Sequence, residues 1–141
     1  MFGIGRAPLA PGTAASLVAT LIAWPITFFA GHWALLLLGV AVGLAAVPVA
    51  DRYAHECGRD DPSECVIDEL AGQWLTCAFA SLSLWGFTLA FLAFRLFDTT
   101  KLWPVSAAER LSGGVGIVAD DIVAGLLGGV VVLLFYRFGL V

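Results

Sequence analysis

Charge is what this chain has least of. Only 13% of its 141 residues are charged, seven of them basic, while 60% are hydrophobic. An ordinary soluble domain has about a quarter charged residues and just under half apolar ones. A disordered chain is therefore excluded. The net charge of -4 and the pI near 4.8 exclude a nucleic-acid binder built on a basic patch. Cysteine is also scarce: Cys57, Cys65 and Cys77 are odd in number, and seven residues separate the first two. That spacing excludes a disulfide scaffold and a Cys-x-x-Cys zinc or redox pair, so reduced thiols are expected. No low-complexity segment or internal repeat is visible. No cleavable leader is expected either, because the first apolar run follows a Gly/Pro segment and is too long.

What is present is apolar sequence in long blocks, at a mean hydropathy of +0.95. No charge occurs in the 44 residues from Ala7 to Ala50, counting His32 as neutral; Leu70–Phe94 and Ile122–Tyr136 are two more such runs. Fourteen of the 18 charges fall within Asp51–Glu69 and Arg95–Arg110. A soluble protein spreads charge over every exposed face, so this pattern predicts a single all-α domain over residues 1–141, a polytopic helical membrane bundle.

The Gly/Pro-rich opening to Gly12 reads as irregular, with Thr13 capping a helix to about Ala30. Gly31-His32 turns the chain into a second helix, Trp33 to Ala50. Each has about 18 residues, near the ~20 that cross a ~30 Å hydrocarbon core. Asp61-Pro62-Ser63-Glu64 reads as the start of a third helix, with Asp as N-cap, Pro at N1 and Glu at N3. It runs to about Ala80, turns at Ser81-Leu82-Ser83 and returns from Leu84 to Leu102. At ~1.5 Å per residue Glu69 lies roughly 17 Å before that turn and Asp98 roughly 21 Å after it, so a tight hairpin sets both at one height. Asp120-Asp121 is expected to open the last helix, ending near Phe138. Six of the seven basic residues then share one side with the acids, which the positive-inside rule makes cytoplasmic.

Ionisable groups inside membrane segments usually mark function. Glu69, Gly72, Gln73 and Thr76 form one polar, small-residue stripe beside Asp68; the plain alternative is a hydrogen-bonded helix seam. Arg95, Asp98 and Lys101 recur every third residue, as an ion-pair ladder or as a carboxylate holding a cation while bases grip phosphate oxygens. Asp120-Asp121 precede Ala124, Gly125, Gly128 and Gly129, small residues that admit a neighbouring helix. Asp68, Glu69, Asp98, Asp120 and Asp121 can thus converge, and so many acids need compensating charge. An oxygen-only donor set without His or Cys points to Mg²⁺ rather than Zn²⁺, with Glu69, Asp98, Asp120 and Asp121 as ligands. Arg95, Lys101, Arg110 and Arg6, with Thr13 at a helix N-terminus, are the candidate phosphate-binding groups. A Cys-x5-Arg nucleophile, a Gly-x4-Gly-Lys-[Ser/Thr] loop and an Asp-x-Asp pair are all absent, and His32 and His55 are too isolated for a His-based triad.

Four blocks carry a resemblance: Phe2-Gly-Ile-Gly-Arg-Ala-Pro-Leu-Ala-Pro-Gly-Thr13, Asp61-Pro-Ser-Glu-Cys-Val-Ile-Asp-Glu-Leu-Ala-Gly-Gln-Trp74, Phe94-Arg-Leu-Phe-Asp-Thr-Thr-Lys-Leu-Trp-Pro104 and Gly113-Gly-Val-Gly-Ile-Val-Ala-Asp-Asp-Ile-Val-Ala-Gly125. Together they resemble the phosphatidylglycerophosphatase A family of bacterial membrane enzymes. Ala15 and Leu102 depart from that family's usual Gly and Pro. The resemblance implies Mg²⁺-dependent hydrolysis of phosphatidylglycerophosphate to phosphatidylglycerol and phosphate at the cytoplasmic face of the inner membrane. It also implies that Asp68, Glu69, Asp98, Lys101, Asp120 and Asp121 are the functional set. The nucleophile is either a water on the metal or one of the carboxylates. Phosphatase action on another lipid or a soluble phosphomonoester, and a small ion or proton transporter, are the alternatives.

Overall fold

The computed structural model describes residues 11–58 and 66–140. They form six helices and, among the described residues, no strand: α1 Pro11–Ala30, α2 His32–Cys57, α3 Ile67–Ala78, α4 Leu84–Thr100, α5 Val105–Glu109 and α6 Gly113–Arg137. Gly12–Ala30 of α1, His32–Tyr53 of α2 and the whole of α6 are long and apolar enough to cross a membrane. Their outward faces are apolar too: Phe29 is 84% exposed, Leu44 71% and Leu37 68%. Buried positions meanwhile include Ser16, Gln73, Thr76 and four aspartates. Apolar outside and polar inside is the reverse of a soluble protein, and it fits a bundle whose solvent is lipid.

α3 occupies the middle, buried from Ala71 through Ala78. Its neighbours approach closely because the contact residues are small. A side chain on Gly72 would meet the Asp121 carbonyl oxygen at 2.5 Å, and one on Gly125 would run into the Gly72 carbonyl. The Thr76 hydroxyl lies 3.1 Å from the Gly72 carbonyl and 2.9 Å from that of Gly125, tying α3 to α6. This is the small-residue helix crossing favoured where lipid offers no hydrophobic drive between helices.

The α3–α4 turn reaches the opposite end of the bundle, where His32 at the start of α2 bonds the Ala80 carbonyl at 2.7 Å. Ser83 caps α4 by accepting from the Gly86 N–H at 3.0 Å. The returning helix brings Arg95 to 3.7 Å from Glu69, and Arg95 also bonds Asp98, which the hairpin heights placed level with Glu69.

Several boundaries differ from the sequence reading. α1 is already helical at Pro11, so Thr13 lies in its first turn rather than at its cap. α2 continues past Ala50 to Cys57, carrying Asp51, Arg52 and an exposed His55 beyond the apolar stretch. α4 stops at Thr100, and the short α5 was not anticipated. Asp120-Asp121 do not open α6, which begins seven residues earlier at Gly113. The cause lies on another helix: Asp51 Oδ1 of α2 accepts from the Gly114 N–H at 2.9 Å, doing the work of the Ser112 cap, which makes no side-chain bond. The expected helix start at Asp61, together with Arg6 and Cys65, lies outside the described residues.

Candidate active site

Each acid reaches the site by a local rule. Asp68 and Glu69 stand in the first turn of α3, where carboxylates favour exposed N–H groups; Asp68 Oδ1 accepts from the Glu69 N–H at 3.0 Å. Asp98 sits in the last turn of α4, three residues after Arg95 and three before Lys101. Asp120 and Asp121 lie two turns inside α6, where the helix dipole no longer compensates them. Asp68, Asp98, Asp120 and Asp121 are all buried, at 4%, 8%, 4% and 3% exposure, so these charges have to be balanced from within the protein.

Among the described residues, two bases contribute to that balance. Arg95 bonds Asp98 and lies 3.7 Å from Glu69. Lys101 bonds Asp120 and approaches Asp98 at 3.7 Å and Glu109 at 3.8 Å. Asp121 is fully enclosed, within hydrogen-bonding reach of Asp98, with Asp68 and Asp120 as its other charged neighbours. Among the described residues, Glu69, Asp98 and Asp120 thus pair with Arg95 and Lys101, with Asp121 and Asp68 adjoining them.

Lys101 reaches this position by ending α4 in the left-handed conformation, φ 50°, the one such non-glycine residue among those described. That backbone costs about 1–2 kcal/mol for an L residue, which its ion pairs offset. Burial alone would lower the ammonium's pKa, but the hydrogen bond to Asp120 and the charges of Asp120, Asp121 and Asp98 outweigh it and hold the pKa above the ordinary 10.5. A raised folded pKa means this contribution to stability is complete below 10.5 and is lost only as pH climbs through the higher folded value. Lys101 is an ammonium at any working pH.

The remaining candidates fall differently. Arg110 is exposed at the C-cap of α5 and makes no ion pair among the described residues. Thr13 is exposed. Arg6 lies outside the described residues. As they stand, no three Asp, Glu, His or Cys side chains among the described residues converge with metal-site spacing; Asp98 and Asp120 are engaged with the bases instead.

Two contributors escaped the sequence reading. Asp51 was counted only as part of a charge cluster, and nothing local marks it as the cap of a helix 63 residues away. Gly12 lies against the site: a Cβ there would run into Glu69 Oε1 and come within 3.1 Å of an Arg95 nitrogen. The end of a flexible side chain can yield, so Gly12→Ala is expected to keep the fold but displace the Glu69 carboxylate. Phosphate release should fall by about tenfold or more, the cost of misplacing a reacting group, while Thr13→Ala leaves it unchanged. Equal activity in the two purified variants would show that Glu69 placement does not matter.

Comparison with known proteins follows the same lines as the geometry. The family model described as phosphatidylglycerophosphatase A matches residues 1–136. The Escherichia coli phosphatidylglycerophosphatase A is 36% identical over 129 residues, covering 89% of this chain and 74% of that one. The Haemophilus influenzae phosphatidylglycerophosphatase A is 31% identical over 133 residues, covering 93% and 82%. A Bacteroides thetaiotaomicron protein named "Putative phosphatidylinositol-3-phosphatase" is 35% identical over 133 residues, covering 89% and 82%. No solved structure is significantly similar. With nearly its whole length matched, and with the four motif blocks supplying the helices that meet at the acids, the chain belongs to the phosphatidylglycerophosphatase A family.

Proposed function

We propose that this protein is a Mg²⁺-dependent phosphomonoester hydrolase that converts phosphatidylglycerophosphate to phosphatidylglycerol and inorganic phosphate. The site would face the cytoplasm from the bacterial inner membrane. The observation that carries this reading is the convergence of Asp68, Glu69, Asp98, Asp120 and Asp121 around Arg95 and Lys101 at one end of an otherwise apolar bundle. Family membership supports the reaction, and the apolar outer faces suit a lipid substrate.

The donor set fits magnesium by its chemistry. The described carboxylates Glu69, Asp98, Asp120 and Asp121 stand close together in a largely buried place, and all the donors are oxygen, which a hard dication prefers. Glu69, Asp98, Asp120 and Asp121 would hold the ion. Bound there, it would supply positive charge to the phosphoryl oxygens. Lys101 and Arg95 hold the nonbridging oxygens, positions that ammonium and guanidinium groups fill well. The bundle around Asp121 excludes bulk water, which strengthens each of these interactions. Hydrolysis breaks the ester P–O bond; water supplies the new oxygen on phosphorus, and its proton balances the departing glycerol alkoxide.

The phosphatidylinositol-type name of one relative favours testing the headgroup directly. Phosphate release by detergent-purified protein is expected to be fastest with phosphatidylglycerophosphate, and slower by about tenfold or more with phosphatidylinositol 3-phosphate and soluble glycerol 3-phosphate, a difference of ~1.4 kcal/mol or more. Faster release from the inositol lipid would reassign the substrate while leaving the phosphatase site in place.

A further inference from the structure

α1 and α3 run in the same direction, and their contacts fall in a regular register. Gly12 lies against Glu69, the Ala19 carbonyl accepts from Trp74 Nε1 at 3.0 Å, and the Thr20 hydroxyl is in hydrogen-bonding reach of the Cys77 thiol. Stepping four residues along each helix from Gly12 and Glu69 reaches Ser16 and Gln73; four more reach Thr20 and Cys77. Ser16 and Gln73 are therefore placed opposite one another, one helical turn beneath the Glu69 carboxylate.

Both residues are fully buried. Gln73 Nε2 donates to Cys77 Sγ at 3.4 Å, but Gln73 Oε1 has no partner, and neither has Ser16 Oγ. Two buried polar atoms without partners, on positions that the register sets opposite one another, would each cost the full desolvation of the group. Buried polar atoms of this kind are ordinarily completed by ordered water, which forms about three hydrogen bonds to groups that lack other partners.

We propose an internal water-binding site between α1 and α3, in which a bound water accepts from the Ser16 hydroxyl and donates to Gln73 Oε1. The water completes the polar seam that descends from Glu69 through Gln73 to Cys77. It also holds the α1–α3 register that sets Gly12 against Glu69. The site is independent of which phosphomonoester is hydrolysed.

X-ray hydroxyl-radical labelling of the purified full chain, read by mass spectrometry, tests it, because radicals form from water at the place where water is held. Cys77 is fully buried yet adjacent to the site, so in the wild type it is expected to be oxidised well above buried Phe94 after correction for intrinsic reactivity. In Gln73→Leu the Cys77 label should drop severalfold. Wild-type Cys77 labelling at the Phe94 level would overturn the proposal whether or not any variant folds. Melting in detergent gives a second reading. Ser16→Ala and Gln73→Leu should each lower the melting temperature, and the double variant should fall by less than their sum, because both lose the same water. A rise in each single variant, as expected on deleting an unsatisfied polar atom, would contradict the site.

Discussion

Asp121→Asn is expected to cut phosphate release by about 10²–10³-fold while leaving the protein as stable as the wild type or more so. Asp121 is 3% exposed, with Asp68, Asp98 and Asp120 as its charged neighbours. Replacing the carboxylate by an amide of the same shape removes one of several mutually repelling buried charges and leaves volume unchanged, so the folded state gains. The reaction loses a ligand for the cation and part of the field that stabilises the transferring phosphoryl group; deleting one such preorganised group costs about 10²–10³ in kcat. The opposite signs are the informative part. If the acids were only a structural hydrogen-bonded seam, Asp121→Asn would lower the melting temperature and leave release intact. Melting in detergent and phosphate release measured on the same preparation separate the two cases.

Gly125→Val should have the largest effect on folding. A side chain at Gly125 is driven into the Gly72 carbonyl and lies 3.0 Å from the Gly72 Cα, all backbone atoms of the central helix that cannot swing aside. Overpacking typically costs about 1–3 kcal/mol, occasionally more, and a backbone-to-backbone crossing leaves little room to relax, so a loss at or above the upper end is expected. Such a loss is a large fraction of a domain's whole stability. It would appear as little or no monodisperse protein in detergent, while Leu44→Ala, at an outward-facing residue 71% exposed, yields normally. Normal yield and melting of Gly125→Val would show that α3 and α6 do not cross at these glycines.

How much of this was legible in advance follows from how local each signal is. The three apolar helices were readable because absence of charge over 15 residues or more is a property of the segment alone. The hairpin was readable because Ser81-Leu82-Ser83 breaks an apolar run between two helix-length pieces, and helical rise put Glu69 and Asp98 near one height; the structure sets Arg95, one turn earlier, beside Glu69. That arithmetic brought together the acids of α3 and α4 only; the α6 pair was added on its small-residue face.

The start of α6 was not legible. Asp120-Asp121 looked like a capping pair, but the cap that starts this helix comes from Asp51 on α2, and the glycines at 113, 114 and 116 were read as a connection. Gly114 is helical there because Val47 and Asp51 press against it, leaving no space for a side chain. Gly12 stood within a recognised block, yet its contact with Glu69 joins residues 57 positions apart. Each of these misses is a partner chosen by packing between helices, which no spacing rule along one helix contains.

The most direct test of the account is phosphate release from phosphatidylglycerophosphate by the detergent-purified wild type, stripped with chelator and then titrated with Mg²⁺. The account predicts negligible release in chelator and saturable recovery on adding Mg²⁺. Release that persists undiminished in chelator, or no release from folded protein at saturating Mg²⁺, would contradict it.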